Sequence, residues 1–250
     1  MDYPFLKGHG TENDFVLLPD HDGSVHGDLP AARVRALCDR RAGLGADGVL
    51  RVIRTAAMTP AAEGPEWFMD YRNADGSAAE MCGNGIRVFA RHLLDEGLVE
   101  DGPIRIATRD GVKTVTRDGD LFTASMGTAR ILGETKVAVG DRSWPSVHVD
   151  LGNPHAVAFV ESLDEAGPLL EEPSYDAALY PDGVNVEFVV RRGAGHVAMR
   201  VHERGSGETR SCGTGACAAV VATMTAGPVS STRSSAVQVT VRVPPGTSTR

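Results

Sequence analysis

The chain has 250 residues and a mass of 26.4 kDa, too long for one small core and short for three, so one large or two compact α/β lobes are expected. Hydrophobic residues at 42% and charged residues at 23% exclude a disordered chain, and the absence of an apolar run near ~18 residues excludes a membrane-spanning helix. With 33 acidic against 25 basic residues, a net charge of −8 and only the lysines Lys7, Lys113 and Lys136, the chain lacks the basic footprint of a nucleic-acid binder, and a small-molecule partner is expected.

The start, MDYPFLKGHGTENDF, has no basic segment leading into an apolar stretch, so no signal peptide is read and a cytoplasmic location is expected. Four cysteines (Cys38, Cys82, Cys212, Cys217) are too few for a disulfide scaffold of this size, and reduced thiols are free for chemistry.

In chain order, Phe15 to Leu18 reads as a strand and Pro30 to Arg41 as a surface helix, with Val34, Leu37 and Cys38 on its inner face. Strands follow at Val49 to Ile53 and Trp67 to Tyr71, separated by an Ala/Pro/Gly/Thr-rich stretch, Thr55 to Glu66, that reads as an exposed loop. Gly83 to Leu94 is helical, with Gly97 as its stop. Ile104 to Thr108, Val112 to Thr116 and Leu121 to Met126 are strands joined by the hairpin signals Arg109-Asp110-Gly111 and Asp118-Gly119-Asp120. A second set of strands is Val147 to Leu151, Ala156 to Val160, Val184 to Val190, Val197 to Glu203 and Val237 to Val243. The run Thr214 to Ala226, apolar on every side, suits a helix enclosed by protein; it ends at Gly227-Pro228 and is followed by a loop at Ser230 to Ser235. Cys38 and Cys217 are packed core thiols in this reading.

The chain also repeats itself weakly. Met81-Cys82-Gly83-Asn84-Gly85 matches Ser211-Cys212-Gly213-Thr214-Gly215, Asp47-Gly48-Val49 matches Asp182-Gly183-Val184, and Asn13 matches Asn153. Three matches in order, with slowly drifting offset, imply two homologous halves, residues 1–118 carrying Cys82 and 119–250 carrying Cys212. Each half then brings one cysteine, at one helix start, to the cleft between them.

Such a turn could serve packing alone. Yet glycines at a helix start expose amide donors without intrahelical partners, and the helix dipole there favours negative charge. That setting can hold a carboxylate and bring an adjacent thiol toward neutrality. Two thiols facing one carbon suit removal of a proton from one face and its return to the other, with one thiolate and one thiol exchanging roles. Prearranged donors in a water-poor site would stabilise the developing carbanion. No lysine lies in a repeated motif for a pyridoxal Schiff base, so a cofactor-free route is favoured. Cys212 and Cys217, five apart inside a helix, lack the spacing of a metal site.

Seven blocks in order make the sequence resemble the diaminopimelate epimerases over essentially its whole length. They are Gly8-His9-Gly10-Thr11-Glu12-Asn13-Asp14-Phe15, Asn73-Ala74-Asp75-Gly76-Ser77, Met81 to Gly85, Gly152-Asn153-Pro154-His155, Gly183-Val184-Asn185-Val186, Glu203 to Thr209 and Ser211 to Ala218. The resemblance implies a two-lobed, cofactor-independent homodimer. Each lobe would be a mixed, mostly antiparallel sheet wrapped around a central helix. Cys82 and Cys212 would convert LL-diaminopimelate to the meso isomer, toward lysine and peptidoglycan. It further implies that the amides of Gly83, Asn84, Gly213 and Thr214 hold the α-carboxylate, and that Asn13, Asn73, Asn153, Asn185, Glu203 and Arg204 bind the remaining charged groups. His155 and Glu203 would tune the thiols.

Three departures stand out. Glu12 occupies a position where many family members have glycine, and Gly48 one where some have a ligand-contacting glutamine, so any contact at 48 would come from backbone or be absent. The chain stops at Pro244 to Arg250, where family members usually continue through further strands. Two other readings are an epimerase of proline, hydroxyproline or another amino acid on the same fold, in which histidine tends to stand at the position of Asn84, and a non-enzymatic thiol- or metal-binding α/β protein.

Overall fold

The structure is a computed structural model and describes residues 4–58, 60, 63–225 and 237–243. It divides into two compact units, one running to Ser125 and taking in the residues from Thr240, the other Met126–Val239.

The first unit contains β1 (Leu6–Gly10), β2 (Asn13–Pro19), α1 (Ala31–Cys38), β3 (Gly48–Arg54), β4 (Trp67–Asn73), α2 (Gly83–Asp95), β5 (Ile104–Thr108), β6 (Gly111–Asp118) and the start of β7 (Leu121–Val139). β1 and β2 pair antiparallel, β2 and β3 parallel, β3 and β4 antiparallel. β3 is buried from Gly48 to Ile53, Arg51 included, because both of its faces are covered. On one face Val49, with Val16 and Leu18 of β2, packs against Val34 and Cys38 of α1. On the other, Leu50 lies under the first turn of α2.

The second unit holds the rest of β7, then β8 (Arg142–Asp150), β9 (Pro154–Phe159), β10 (Asn185–Gly193), β11 (His196–Glu203), β12 (Gly207–Thr209) and α3 (Gly213–Thr225). β8 and β9 pair antiparallel, β9 and β10 parallel, β10 and β11 antiparallel. That is the order and sense of β1 to β4, and in both units a helix packs on the four strands. The duplication read from motifs is thus repeated in strand pairing. The face of β9 and β10 away from α3 buries Ala156, Ala158, Val186 and Phe188 against Leu169, Tyr180 and Val184.

Several expectations need correction. β7 does not stop at Met126 but runs 19 residues, its period hidden by Gly127 and by a bulge between Ile131 and Gly133. β1 carries two glycines and β12 has three residues, too little pattern to be read. α3 is not enclosed on every side: Ala216, Val220 and Met224 form an exposed stripe, with Met224 71% exposed. Thr55 to Glu66 is not wholly exposed, since Thr55 is buried at the start of a short 3-10 turn. β13 (Val237–Val243) pairs with β7. The expected helix stop at 227–228, the loop at 230–235 and the terminal 244–250 lie outside the described residues. Among the described residues no helix is long and apolar enough to cross a membrane.

Candidate active site: two thiol-capped helix starts

In the first unit, Cys82 is the N-cap of α2. Its backbone is extended (φ −135°, ψ 121°) and its sulfur accepts from the Gly85 N–H at 3.3 Å, the place usually taken by a Ser or Asp oxygen. A side chain at Gly85 would crowd its surroundings, because a Cβ would stand 3.2 Å from Leu50 Cδ2 and 3.3 Å from Cys82 Cβ. The thiol lies 3.7 Å from Asn13 Oδ1, to which it can donate. Asn13 keeps that oxygen aimed at sulfur by donating through Nδ2 to Asp47 Oδ2 at 2.8 Å. Asn84 Nδ2 donates to the same oxygen at 3.2 Å.

Asn84 is held in turn by Arg87 Nη2 at 2.5 Å and by the Thr11 hydroxyl at 3.2 Å. Arg87 also donates to Gly83 O at 3.0 Å while remaining 1% exposed. Sequence reasoning missed Arg87 and Thr11; a charged residue amid the apolar positions of a helix that starts at the key cysteine was the available signal. Asn73, at the end of β4, donates to Ser77 Oγ at 3.0 Å across the turn that follows. At Gly48 a side chain is barred outright, since a Cβ would fall 2.6 Å from Arg72 O and 2.7 Å from Tyr71 Cε2.

In the second unit, the Cys212 sulfur accepts from the Gly215 N–H at 3.3 Å and the Cys212 carbonyl from the Ala216 N–H at 2.9 Å. These match the bonds Cys82 makes to Gly85 and, at 2.9 Å, to Ile86. Around this common frame the neighbours differ. Thr214 Oγ1 lies 3.4 Å from the Cys212 sulfur and accepts from Asn153 Nδ2 at 3.2 Å. Asn153 Oδ1 faces His155 Nε2 at 3.0 Å, and His155 Nδ1 faces Glu187 Oε1 at 2.6 Å, with both side chains of that last pair wholly buried. Glu203, at the end of β11, accepts from the Thr209 hydroxyl and bonds to Cys212.

Asn185 donates to Pro154 O at 3.0 Å and accepts from the Arg204 N–H at 3.0 Å, so its amide ties together the two loops that carry Asn153 and Arg204. The Arg204 stem crosses Gly183, whose φ of +87° and closeness (a Cβ would lie 3.0 Å from Arg204 Cγ) both call for glycine. A cavity of about 250 Å3 is lined by His148, Asp150, Asn153, Tyr180, Gly183 and Arg204, among others.

Burial pushes the Cys212 thiol well above its ordinary value, the nearby carboxyls of Glu203 and Glu187 adding to it; bonds from Thr214 and Gly215 pull the other way. The helix start therefore does not by itself bring this thiol toward neutrality, because desolvation outweighs two donors. Burial likewise raises Glu203, against the bonds from Thr209 and Cys212. Cys38 and Cys217 are packed thiols raised by burial to about 11 and about 12. Among the described residues no group of three His, Cys, Asp or Glu clusters as metal ligands.

A model of the diaminopimelate epimerase family matches residues 5–132 and 147–247. The chain belongs to the diaminopimelate epimerase family. Relatives named diaminopimelate epimerase include those of Streptomyces coelicolor (63% identical, covering 88% of this chain and 77% of the relative), Thermobifida fusca (50%, covering 87% and 82%) and Mycobacterium avium (46%, covering 97% and 87%). In fold the chain is similar to a hydroxyproline epimerase from Agrobacterium vitis (TM-score 0.67, 17% identity, covering 98% of this chain and 89% of that one). It is similar also to a probable proline racemase from Agrobacterium radiobacter (TM-score 0.65, 15% identity, covering 98% and 90%). Glu187, two residues after Asn185 on β10, carries no mark in the sequence and is brought to the Cys212 helix start by the tertiary structure alone.

Proposed function

We propose that the protein is an isomerase that interconverts LL- and meso-diaminopimelate without a cofactor, in the synthesis of lysine and peptidoglycan precursors. Cys82 and Cys212 are the acid/base pair, one taking the α-proton as thiolate while the other, as thiol, delivers a proton to the opposite face of the carbon. The observation that carries this reading is the same thiol-capped helix start built twice in one chain. The N–H groups of Gly83, Asn84, Gly213 and Thr214 at those helix starts bind the α-carboxylate and stabilise charge as it develops. Asn13, Asn73, Asn153, Asn185, Glu203 and Arg204 serve the other charged groups of the substrate, with Asn185 acting through the Arg204 loop it holds. The cavity containing Asn153 and Arg204 suits a small, charged end. His155 and Glu203 tune the Cys212 thiol. The enzyme works in the cytoplasm as a homodimer, a state that light scattering would read.

The test is incubation of purified protein with LL-diaminopimelate in D2O. Deuterium at the α-carbon and accumulation of the meso isomer are expected, and both should vanish in Cys82→Ala and Cys212→Ala. Racemisation persisting at the wild-type rate in either variant would sink the two-thiol scheme. Competition by proline but not by diaminopimelate would move the substrate to another amino acid.

A further inference from the structure

The two units bury different chemistry at equivalent positions. In the first, β2 and β3 pair Leu17 with Leu50 and Phe15 with Gly48. In the second, β9 and β10 pair Val157 with Glu187 and His155 with Asn185. Leu50 Cδ2 is the nearest atom to a Cβ built at Gly85, and Glu187 Oε1, at 2.7 Å, the nearest to one built at Gly215. Glu187 thus stands where Leu50 stands, and His155 where Phe15 stands. An apolar pair beneath one helix start has become an acid and an imidazole beneath the other.

Burying a carboxyl costs stability unless a partner satisfies it. Glu187 has one partner: Oε1 meets His155 Nδ1 at 2.6 Å, while Oε2 is buried without a hydrogen bond. The buried Glu187 carboxyl keeps its proton and donates it from Oε1 to the Nδ1 lone pair, so that His155 carries its own hydrogen on Nε2. There it faces Asn153 Oδ1, whose amide is oriented by donation from Nδ2 to Thr214 Oγ1. The Thr214 hydroxyl, already accepting from Asn153, has its own hydrogen to give to the Cys212 sulfur at 3.4 Å, the Cys212 hydrogen serving Glu203.

We propose that Glu187 is a positioning residue for Cys212: by anchoring His155 in its Nε2–H form it sets the direction of a hydrogen-bond chain, His155 to Asn153 to Thr214, that ends in a hydrogen donated to the Cys212 sulfur. This rests on the acid/base role given to Cys212 above. The chain favours the thiolate against burial and the carboxyl of Glu203. The titratable groups around His155 are Glu187 on β10, Glu203 on β11, His148 on β8 and Cys212 at the head of α3, with Asp150 at the end of β8 paired to Arg130.

The experiment compares two uncharged replacements. Glu187→Gln can still donate to Nδ1 and keep the Nε2–H form; Glu187→Leu, the residue that stands at the equivalent place in the first unit, cannot. Side-chain 15N NMR reads the His155 tautomer, and iodoacetamide labelling across pH, resolved to Cys212 by fragment mass, reads the thiolate. Wild type and Glu187→Gln are expected to show Nε2–H and the same labelling curve. Glu187→Leu should mix tautomers and label Cys212 about tenfold more slowly near neutral pH, with kcat falling and KM little changed. Unaltered labelling of Cys82 serves as the control for folding. Identical Cys212 curves for the Leu and Gln variants, or an Nδ1–H wild type, would overturn the proposal. Tautomer and labelling need no substrate, so failure of the wild type to epimerise diaminopimelate would refute the proposed activity without deciding this one.

Discussion

Arg87 Nη2 donates to Asn84 Oδ1 at 2.5 Å, and the Nη1 of the same buried guanidinium has no hydrogen-bond partner. Among the described residues no carboxylate forms an ion pair with Arg87, whose charge interacts favourably with that of Cys82. The first thiol is thus backed by a cation where the second is backed by carboxyls. Arg87→Met should slow alkylation of Cys82 at pH 7.5 by about tenfold, since loss of ~1.4 kcal/mol of thiolate stabilisation is one decade. Arg87→Lys, which keeps the charge, should recover most of that loss. Equal labelling of Cys82 in all three proteins would show that the cation does not reach the sulfur.

Asp70, 1% exposed on β4, is ion-paired to Arg109, to Arg72 at 3.0 Å and to Arg51 at 3.7 Å. Burial alone would raise its carboxyl, but Arg109 and then Arg72 bring it below its ordinary value of 3.8. A carboxyl lowered in the folded state stabilises fully above its unfolded value and loses that contribution as pH falls through the folded one. Asp14 behaves alike: burial raises it, yet Arg40 and Lys7 hold it at about 2. Denaturant unfolding should therefore show stability falling between about pH 4 and pH 2. Asp70→Asn should flatten that slope and cost about 3–5 kcal/mol at neutral pH, as expected for breaking a buried pair.

Gly48 is closed to any side chain by Arg72 O and the Tyr71 ring. Gly48→Gln should destabilise by about 2 kcal/mol or more, as overpacked positions do, and urea titration gives the number. Tyr71→Ala in the same chain should relieve part of it. A neutral Gly48→Gln would mean that β3 can shift.

Glu12 sits at φ +65° beside Thr11 at φ +52° in the β1–β2 turn. This is the left-handed conformation that glycine adopts without cost and other residues at roughly 1 kcal/mol. Glu12→Gly should raise Tm by about 2–4 °C in a chain of this size, measured by calorimetry. A fall in Tm would show that contacts of the Glu12 side chain outweigh the backbone strain.

Much was legible beforehand because it is local. Ile104–Thr108 and Val237–Val243 are the strands their β-branched alternation indicates, and α2 starts and stops at the residues that Cys82 and Gly97 mark. The two CysGly motifs are likewise visible as an internal match, since a helix start with exposed amides needs those residue types in sequence. What sits beneath each helix start could not be read in this way. Leu50 and Glu187 reach the same place only through the register of β3 on β2 and of β10 on β9, and a residue in mid-strand carries no mark of which helix will cover it. The sequence by itself determined the internal repeat, its two cysteines and the family; tertiary structure alone decided that one thiol is backed by an arginine and the other by a buried acid–imidazole pair. The reason is that charge acts through space and depends on burial, and neither distance nor burial is written along the chain.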